Sequence, residues 1–309
     1  MSNDNNIGTG LVLAGGGGKG AYQIGVLKAL KENGLLDDVT HISGASIGAV
    51  NAMLYAMDDI NIMYDAWNEI DMLTLFDIEL EMIKQAKPYF SRAEMLKLTE
   101  KYINYDKIKN GKYKIYNSIC KINNDGTNPV AEYRCINDYD IENIKNILLA
   151  STALPIIYEA VEIEGNHYRD GGICDNEPVK PLYDAGVRQF IVIGLKHGKV
   201  FDTSKWPEAT FITIYPSRNL GELIDGTLNF TQKDIMFRQM LGYKDGLRAI
   251  KTKFENNEIY IKMENALANS DYNDIMMQLR AELSYKNVES KINANLEKFN
   301  SIAKLYEDI

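Results

Sequence analysis

Val39–Asn51, VTHISGASIGAVN, is the stretch from which the rest of the chain is read. It predicts a short β-branched strand, a tight turn and a helix start. The turn holds Gly44-Ala45-Ser46-Ile47-Gly48, a G-x-S-x-G sequence. A nucleophile between a strand and a helix must turn sharply, so its neighbours two positions away must be small. Glycine at 44 and 48 removes the β-carbons that would collide with the facing backbone. Ser46 is then held out at the carboxyl end of the strand, and the helix that follows points its amino-terminal N–H groups toward a developing oxyanion. By itself the pattern is a weak signal, because it also arises by chance.

Upstream, Gly10–Ala14 (GLVLA) predicts a buried strand and Ala21–Leu30 a helix, joined by Gly15-Gly16-Gly17-Gly18-Lys19-Gly20. A nucleotide P-loop fails, since Lys19 is followed by Gly20 and Leu13 stands where the first glycine should be. A dinucleotide loop is formally matched by Gly15, Gly17 and Gly20, but Asp37 and Asp38 precede the second strand instead of ending it. The reading that fits Ser46 on the next strand is an oxyanion hole made by Gly15–Gly18. Consecutive glycines let several N–H groups converge on one oxygen. The remaining alternative is a plain tight turn.

A second candidate carboxylate closes the alternating stretch Tyr158–Tyr168, in Arg169-Asp170-Gly171-Gly172. Two glycines after a strand-end aspartate permit close approach of another loop. The same residues also suit an ordinary β-turn.

These motifs together resemble the patatin-like phospholipase family. The resemblance rests on Gly15–Gly20 with Lys19, on Gly44–Gly48 around Ser46, and on Asp170-Gly171-Gly172. Ala150–Pro155 (ASTALP), and Asn176 with Pro178, support it. It extends from about residue 10 to about residue 198. The family implies a Ser–Asp dyad: Ser46 as nucleophile, Asp170 as proton acceptor and the Gly15–Gly18 backbone as oxyanion hole. Lys19 would steady the glycine loop or meet a phospholipid head group. The implied fold is a three-layer α/β/α arrangement around a mixed, mostly parallel sheet. The implied reaction is hydrolysis of acyl esters of lipids, with no metal or organic cofactor. A triad of Ser46, Asp170 and His197 is the competing mechanism, because the chain order Ser, acid, His is that of α/β-hydrolases. His41, inside the elbow strand, reads as a packed or hydrogen-bonded core residue, and His167 as a strand-face residue near the site. A lipid-binding protein without turnover and a nucleotide-binding protein are the alternatives from other classes.

Elsewhere the chain is less informative. Residues 1–9 read as a flexible start, 10–225 as the catalytic domain, and 226–309 as C-terminal helices packed on it or following it. Thr227–Tyr243, Gly246–Glu255 and, in two pieces, Asp271–Leu305 are the predicted helices there. Lys112–Asn123 and Pro129–Asn137 predict a hairpin at a sheet edge. An insert over about 60–105, rich in Met and aromatic residues, is read as helical. It is either ordinary packing or a lid contacting a membrane surface. Of the 309 residues 45% are apolar, enough for a substantial core, and a net charge of −9 argues against nucleic acid as partner. Cys120, Cys135 and Cys174 give neither a disulfide framework nor a zinc pattern, which suggests a reducing compartment. The polar start lacks the features of a secretory signal, and no apolar run spans a bilayer, so a cytoplasmic location is expected. Secretion without a cleaved signal would leave no mark here.

Overall fold

The computed structural model describes residues 7–70, 92–123, 126–155 and 157–253. The elements in chain order begin with β1 (Thr9–Leu13), α1 (Ala21–Glu32), β2 (Val39–Ala45), α2 (Ile47–Tyr55) and α3 (Ile60–Glu69). Next come α4 (Arg92–Tyr102), α5 (Tyr105–Asn110), β3 (Lys114–Ile122), β4 (Val130–Cys135) and α6 (Ile141–Ser151). The remainder are β5 (Val161–Ile163), β6 (Asn166–Asp170), α7 (Lys180–Asp184), β7 (Gln189–Ile193), β8 (Thr210–Ile214) and α8 (Gln232–Lys253).

The strands form one eight-stranded sheet in the order β5-β6-β3-β2-β1-β7-β8, with β4 also paired to β3. Strands β3, β2, β1, β7 and β8 are mutually parallel. The others run antiparallel to their neighbours. This is the expected mixed, mostly parallel α/β/α architecture. Its central strands are apolar throughout because both faces are covered. Leu11 and Leu13 of β1 join the core beneath α1 and α2, whereas Val12 between them joins the opposite core. Strand β7 divides the same way, Ile191 and Ile193 against Phe190 and Val192. Such alternation follows from the two-residue period of a strand. The second core includes Val179 and Leu182 at α7 and is the smaller of the two.

The pairing of β3 positions the site. Asn117 faces Gly44 of β2 on one edge and Arg134 of β4 on the other. Cys120 faces Arg169 of β6 on one edge and Ala131 of β4 on the other. Strands β2 and β6 therefore share a single edge of β3, one after the other. Strand β2 ends with Ala45 beside Ser118, and β6 ends with Asp170 beside Ile119, the next residue along. Two strands running toward each other thus bring Ser46 and Asp170 to the same point.

Several expectations change. β4 does form a hairpin with β3, but β3 lies inside the sheet because its first half also pairs with β2. The stretch Tyr158–Tyr168 is not one strand. Glu164 at φ 51° and Gly165 at φ 74° turn it back as the β5–β6 hairpin. Two successive positive φ values suit a two-residue hairpin turn. The two helices expected over Thr227–Tyr243 and Gly246–Glu255 are one continuous α8, Gln232–Lys253. Glycine is used there for closeness, not for a break. A Cβ on Gly246 would sit 2.8 Å from Ala29 Cβ, and one on Gly25 would sit 1.8 Å from Gln239 O. Helices α1 and α8 cross with their backbones nearly touching, so residues 232–253 share the main core through Ile235, Leu241, Leu247 and Ile250. Residues 71–91 of the insert read as helical, and the two helical pieces expected over Asp271–Leu305, lie outside the described residues. Among the described residues no helix is long and apolar enough to cross a membrane.

The cysteines also depart from expectation. Cys120 and Cys174 are joined by a disulfide, and Cys135 is free. Sequence spacing is silent about this pair because antiparallel register, not chain proximity, brings the turn after β6 against β3. A reducing compartment therefore does not follow from the cysteine pattern. The crosslink spans 54 residues of chain and fastens the segment just after Asp170 to β3. Reduction is expected to lower stability by about 2–4 kcal/mol. Thermal melts with and without reductant check this, alongside a thiol count that rises from one to three.

Candidate active site

Ser46 occupies the N-cap of α2 at φ 53°, ψ −125°, a conformation costly for an L residue. It persists because the surroundings leave no alternative. A Cβ on Gly44 would lie 2.3 Å from Gly48 O, and one on Gly48 would lie 2.1 Å from Leu13 O. Only glycine lets the elbow fold against β1 at these two positions. Ser46 Oγ is thereby aimed at Asp170 and donates to its Oδ2 at 2.6 Å.

Asp170 is 3% exposed. Its second oxygen accepts the Gly172 N–H at 2.8 Å. Burial pushes its pKa up to about 6, against the opposing pull of the bonds from Ser46 and Gly172. A carboxyl poised there can accept a proton near neutral pH. The turn that carries it is held tightly, since a Cβ on Gly171 would meet Ser118 O at 2.0 Å.

The glycine loop passes beside both groups. Gly15, Gly16 and Gly17 line the same cavity as Ser46 and Asp170, whereas Gly18 is buried and faces away from it. Gly15 N–H already donates to Asn176 O at 3.3 Å, and Asn176 Nδ2 returns a bond to Gly15 O at 3.2 Å. The N–H groups of Gly16 and Gly17 have no protein acceptor among the described residues. Of the four expected oxyanion donors, these two alone combine a free N–H with a place on the cavity wall. Lys19 Nζ donates to Gly221 O at 3.4 Å, tying the loop to the backbone just ahead of the turn at Leu223–Thr227. Gly20 is packed against Ile47 and Trp67.

Beneath the loop lies a polar network that sequence reading missed. Gln23 Nε2 donates to Ala14 O at 2.8 Å and to Ile193 O at 3.3 Å. Asn51 Nδ2 donates to Gly20 O at 3.1 Å and to Gln23 Oε1 at 2.8 Å, and Trp67 Nε1 donates to Asn51 Oδ1 at 2.9 Å. All three side chains are buried. Gln23 and Asn51 interrupt otherwise apolar helix faces, which was the one available signal.

The cavity measures about 440 Å³. Beyond the polar end its walls are apolar, with Val50, Leu98, Leu154, Ile157, Leu228 and Phe230 among them. This is the volume and character of a site for an apolar ligand with one polar anchor. Leu98 belongs to the 60–105 insert, so the described part of that insert contributes a wall. Residues 71–91 of it lie outside the described residues.

The histidines stand apart from the cavity wall. His197 donates from Nδ1 to Pro216 O at 2.8 Å. His41 is bonded to Thr40 Oγ1 at 2.9 Å and stacks on Tyr116. Burial, followed by the nearby Lys114, lowers its pKa. His167 pairs with Ile122 in the sheet, three positions along β6 or about 10 Å from Asp170, and does not line the cavity. The glycine loop opens on an apolar cavity shared with Ser46. Among the described residues no group of three or more His, Cys, Asp or Glu side chains is arranged to hold a metal.

A family model described as patatin-like phospholipase matches residues 11–183, more than half of the chain, and contains every residue of this site from Gly15 to Asn176. The chain belongs to the patatin-like phospholipase family. Among curated proteins it is 30% identical over 209 residues to lysophospholipase NTE1 of Cryptococcus neoformans, covering 63% of this chain and 11% of that protein. It is 55% identical over 56 residues to lysophospholipase nte1 of Aspergillus terreus, covering 18% of this chain and 4% of that protein. The chain thus spans about a tenth or less of the length of these curated relatives. Among solved structures it is similar to human GIVD cytosolic phospholipase A2, with TM-score 0.49 and 11% identity over 87% of this chain and 61% of that one. It is also similar to VipD from Legionella pneumophila, with TM-score 0.45 and 16% identity over 79% of this chain and 67% of that one.

Proposed function

We propose that this patatin-like chain is a lipid acyl hydrolase working through a Ser46–Asp170 dyad. The observation that carries the reading is the 2.6 Å hydrogen bond from Ser46 Oγ to a buried carboxylate at the polar end of an apolar cavity. A serine hydroxyl is a weak nucleophile until a base takes its proton. Asp170 takes that proton as Oγ attacks the ester carbonyl. The resulting oxyanion is held by the N–H groups of Gly16 and Gly17. Collapse of the tetrahedral intermediate returns the proton from Asp170 to the leaving alcohol and leaves an acyl-serine. Water, deprotonated by the same carboxylate, then releases the fatty acid and restores Ser46.

The acyl chain fits the apolar part of the cavity and the head group stays toward the mouth. The cavity volume suits one chain better than two, so a single-chain lysophospholipid is the preferred substrate class. The relatives named as lysophospholipases support the same class. Contact with a membrane surface, first expected from the insert, has two further candidates at the cavity mouth. Ile173 and Leu223 are both exposed there and both line it.

The dyad is preferred over the triad because Ser46 and Asp170 bond directly, leaving no place for an imidazole between them. His197, meanwhile, is committed to Pro216 O. Ser46→Ala is expected to abolish fatty-acid release from lysophosphatidylcholine and labelling by a fluorophosphonate. His197→Ala is expected to keep both within about three-fold, whereas a triad histidine would cost about 10⁴-fold or more. Loss of labelling in His197→Ala would reinstate the triad. Unchanged hydrolysis in Ser46→Ala would end the reading altogether.

A further inference from the structure

Both members of the proposed dyad are held through their backbones by one short segment, Ser151–Ala153, where α6 ends. Ser46 N–H donates to Ser151 Oγ at 3.0 Å. Asp170 N–H donates to Ala153 O at 3.0 Å. Ser151 Oγ in turn donates to Ser118 O at 2.8 Å, and Ser118 lies on β3 beside the end of β2. Ser151 is fully buried.

We infer that Ser151 is a positioning residue for the hydrolysis, clamping Ser46 in its strained conformation and fixing its distance from Asp170. The inference rests on the dyad reading above. A residue at φ 53°, ψ −125° relaxes unless its neighbours over-determine it. The glycines at 44 and 48 permit that conformation but do not enforce it. The Ser46 carbonyl is taken by Ala49 N–H within α2 and its hydroxyl by Asp170, so the bond that ties the elbow backbone to a neighbouring element is the one from its own N–H. The acceptor must also be anchored, and a hydroxyl is the smallest side-chain group that accepts one bond while donating another. Ser151 does so between Ser46 N and Ser118 O, so the elbow is referenced to β3, the strand beside which Asp170 also ends. Alanine cannot make this bridge, and a thiol makes it only weakly.

The same geometry sets the protonation of the base. The bond from Ser46 Oγ favours the charged form of Asp170. If the elbow relaxes and that bond lengthens, the carboxyl holds its proton to higher pH.

The test uses the full chain with p-nitrophenyl butyrate, a soluble monomeric ester, and normalises rates to sites titrated by a fluorophosphonate. Ser151→Ala is expected to lower kcat per titrated site by about 10- to 100-fold, the effect of a small misplacement of reacting groups. KM should stay within about two-fold, since the cavity wall is untouched. The acid limb of the rate profile should move to higher pH. Ser151→Thr, which keeps the hydroxyl, should restore most of the rate. Ser151→Cys fills nearly the same volume, so it guards against a fold that does not tolerate alanine, and it should share the loss. Ile147→Val on the same helix serves as the packing control. It should lower Tm while leaving kcat per site and the acid limb unchanged.

The inference is overturned if Ser151→Ala and Ser151→Cys keep wild-type kcat per site and an unmoved acid limb. It is equally overturned if Ile147→Val reproduces their profile. Failure of the dyad reading is a separate outcome, in which Ser46→Ala retains hydrolysis whatever Ser151 does.

Discussion

Asp170→Asn is expected to raise the thermal midpoint of this protein while removing its turnover. The carboxyl has a pKa near 6 in the fold, against 3.8 ordinarily. Between those two pH values the folded chain binds a proton that the unfolded chain has released. Stability therefore falls as pH rises through that window and stays low above it. By linkage, the ionised carboxylate costs the fold on the order of 3 kcal/mol at neutral pH. Asparagine is neutral at every pH and nearly the same shape. Its oxygen can still accept the Gly172 N–H, and Ser46 Oγ can accept from its amide. Removing the charge should thus raise Tm by several degrees, about 5 °C for a chain of this size. The gain should be full above pH 6 and vanish below about pH 4, where the wild-type carboxyl is itself neutral. Turnover should fall by about 10²–10⁴-fold because no group remains to take the Ser46 proton. Melting curves at pH 4 and pH 8, paired with hydrolysis rates, check both halves. A mutant less stable than wild type at pH 8 would contradict the burial account of Asp170.

Gly17→Ala should produce the next largest loss. Gly17 sits at φ +56°, and a Cβ there would lie 2.1 Å from Thr227 O. The loop must therefore shift, and its shift moves a proposed oxyanion donor. Losing one such donor typically costs about 10²–10³-fold in kcat. The left-handed backbone adds a stability cost of about 1–2 kcal/mol. Gly34→Ala separates the two effects. Gly34 has φ +70°, but the nearest atom to its Cβ would be 3.4 Å away, on the Asp37 side chain. Both variants should melt earlier, and only Gly17→Ala should lose kcat per titrated site. If the two keep equal rates, the glycine loop is a turn and not an oxyanion hole.

What the sequence made legible was local. The elbow at Gly44–Gly48, the loop at Gly15–Gly20 and the turn at Gly171-Gly172 each need a backbone that only small residues allow, so residue type and spacing report them directly. The parallel strands were legible for a related reason, since burial on both faces leaves runs such as Phe190–Leu195 without polar interruption. Long-range register was not legible. Nothing in residues 114–122 says that β2 and β6 will follow one another along a single edge, and the Cys120–Cys174 bond depends on that arrangement. The break expected between Tyr243 and Gly246 was a misreading, because a helix glycine looks the same whether it begins a new helix or admits a neighbour. Ser151 was visible only as part of the Ala150–Pro155 run, and Gln23 and Asn51 not at all, because the bonds they make to backbone groups from distant parts of the chain are encoded by no local pattern.

The shared edge of β3 carries one more consequence. Ser46 and Asp170 are 124 positions apart in the chain, yet the strands leading to them end beside consecutive residues of β3. Loops between those strands can lengthen or shorten through evolution without moving the meeting point, provided β3 stays in step with both. A slip of one residue in either pairing would be far less forgiving. It would displace one partner by about 3.3 Å and turn its side chain to the opposite face. Tolerance to insertion and intolerance to slippage thus arise from the same ruler.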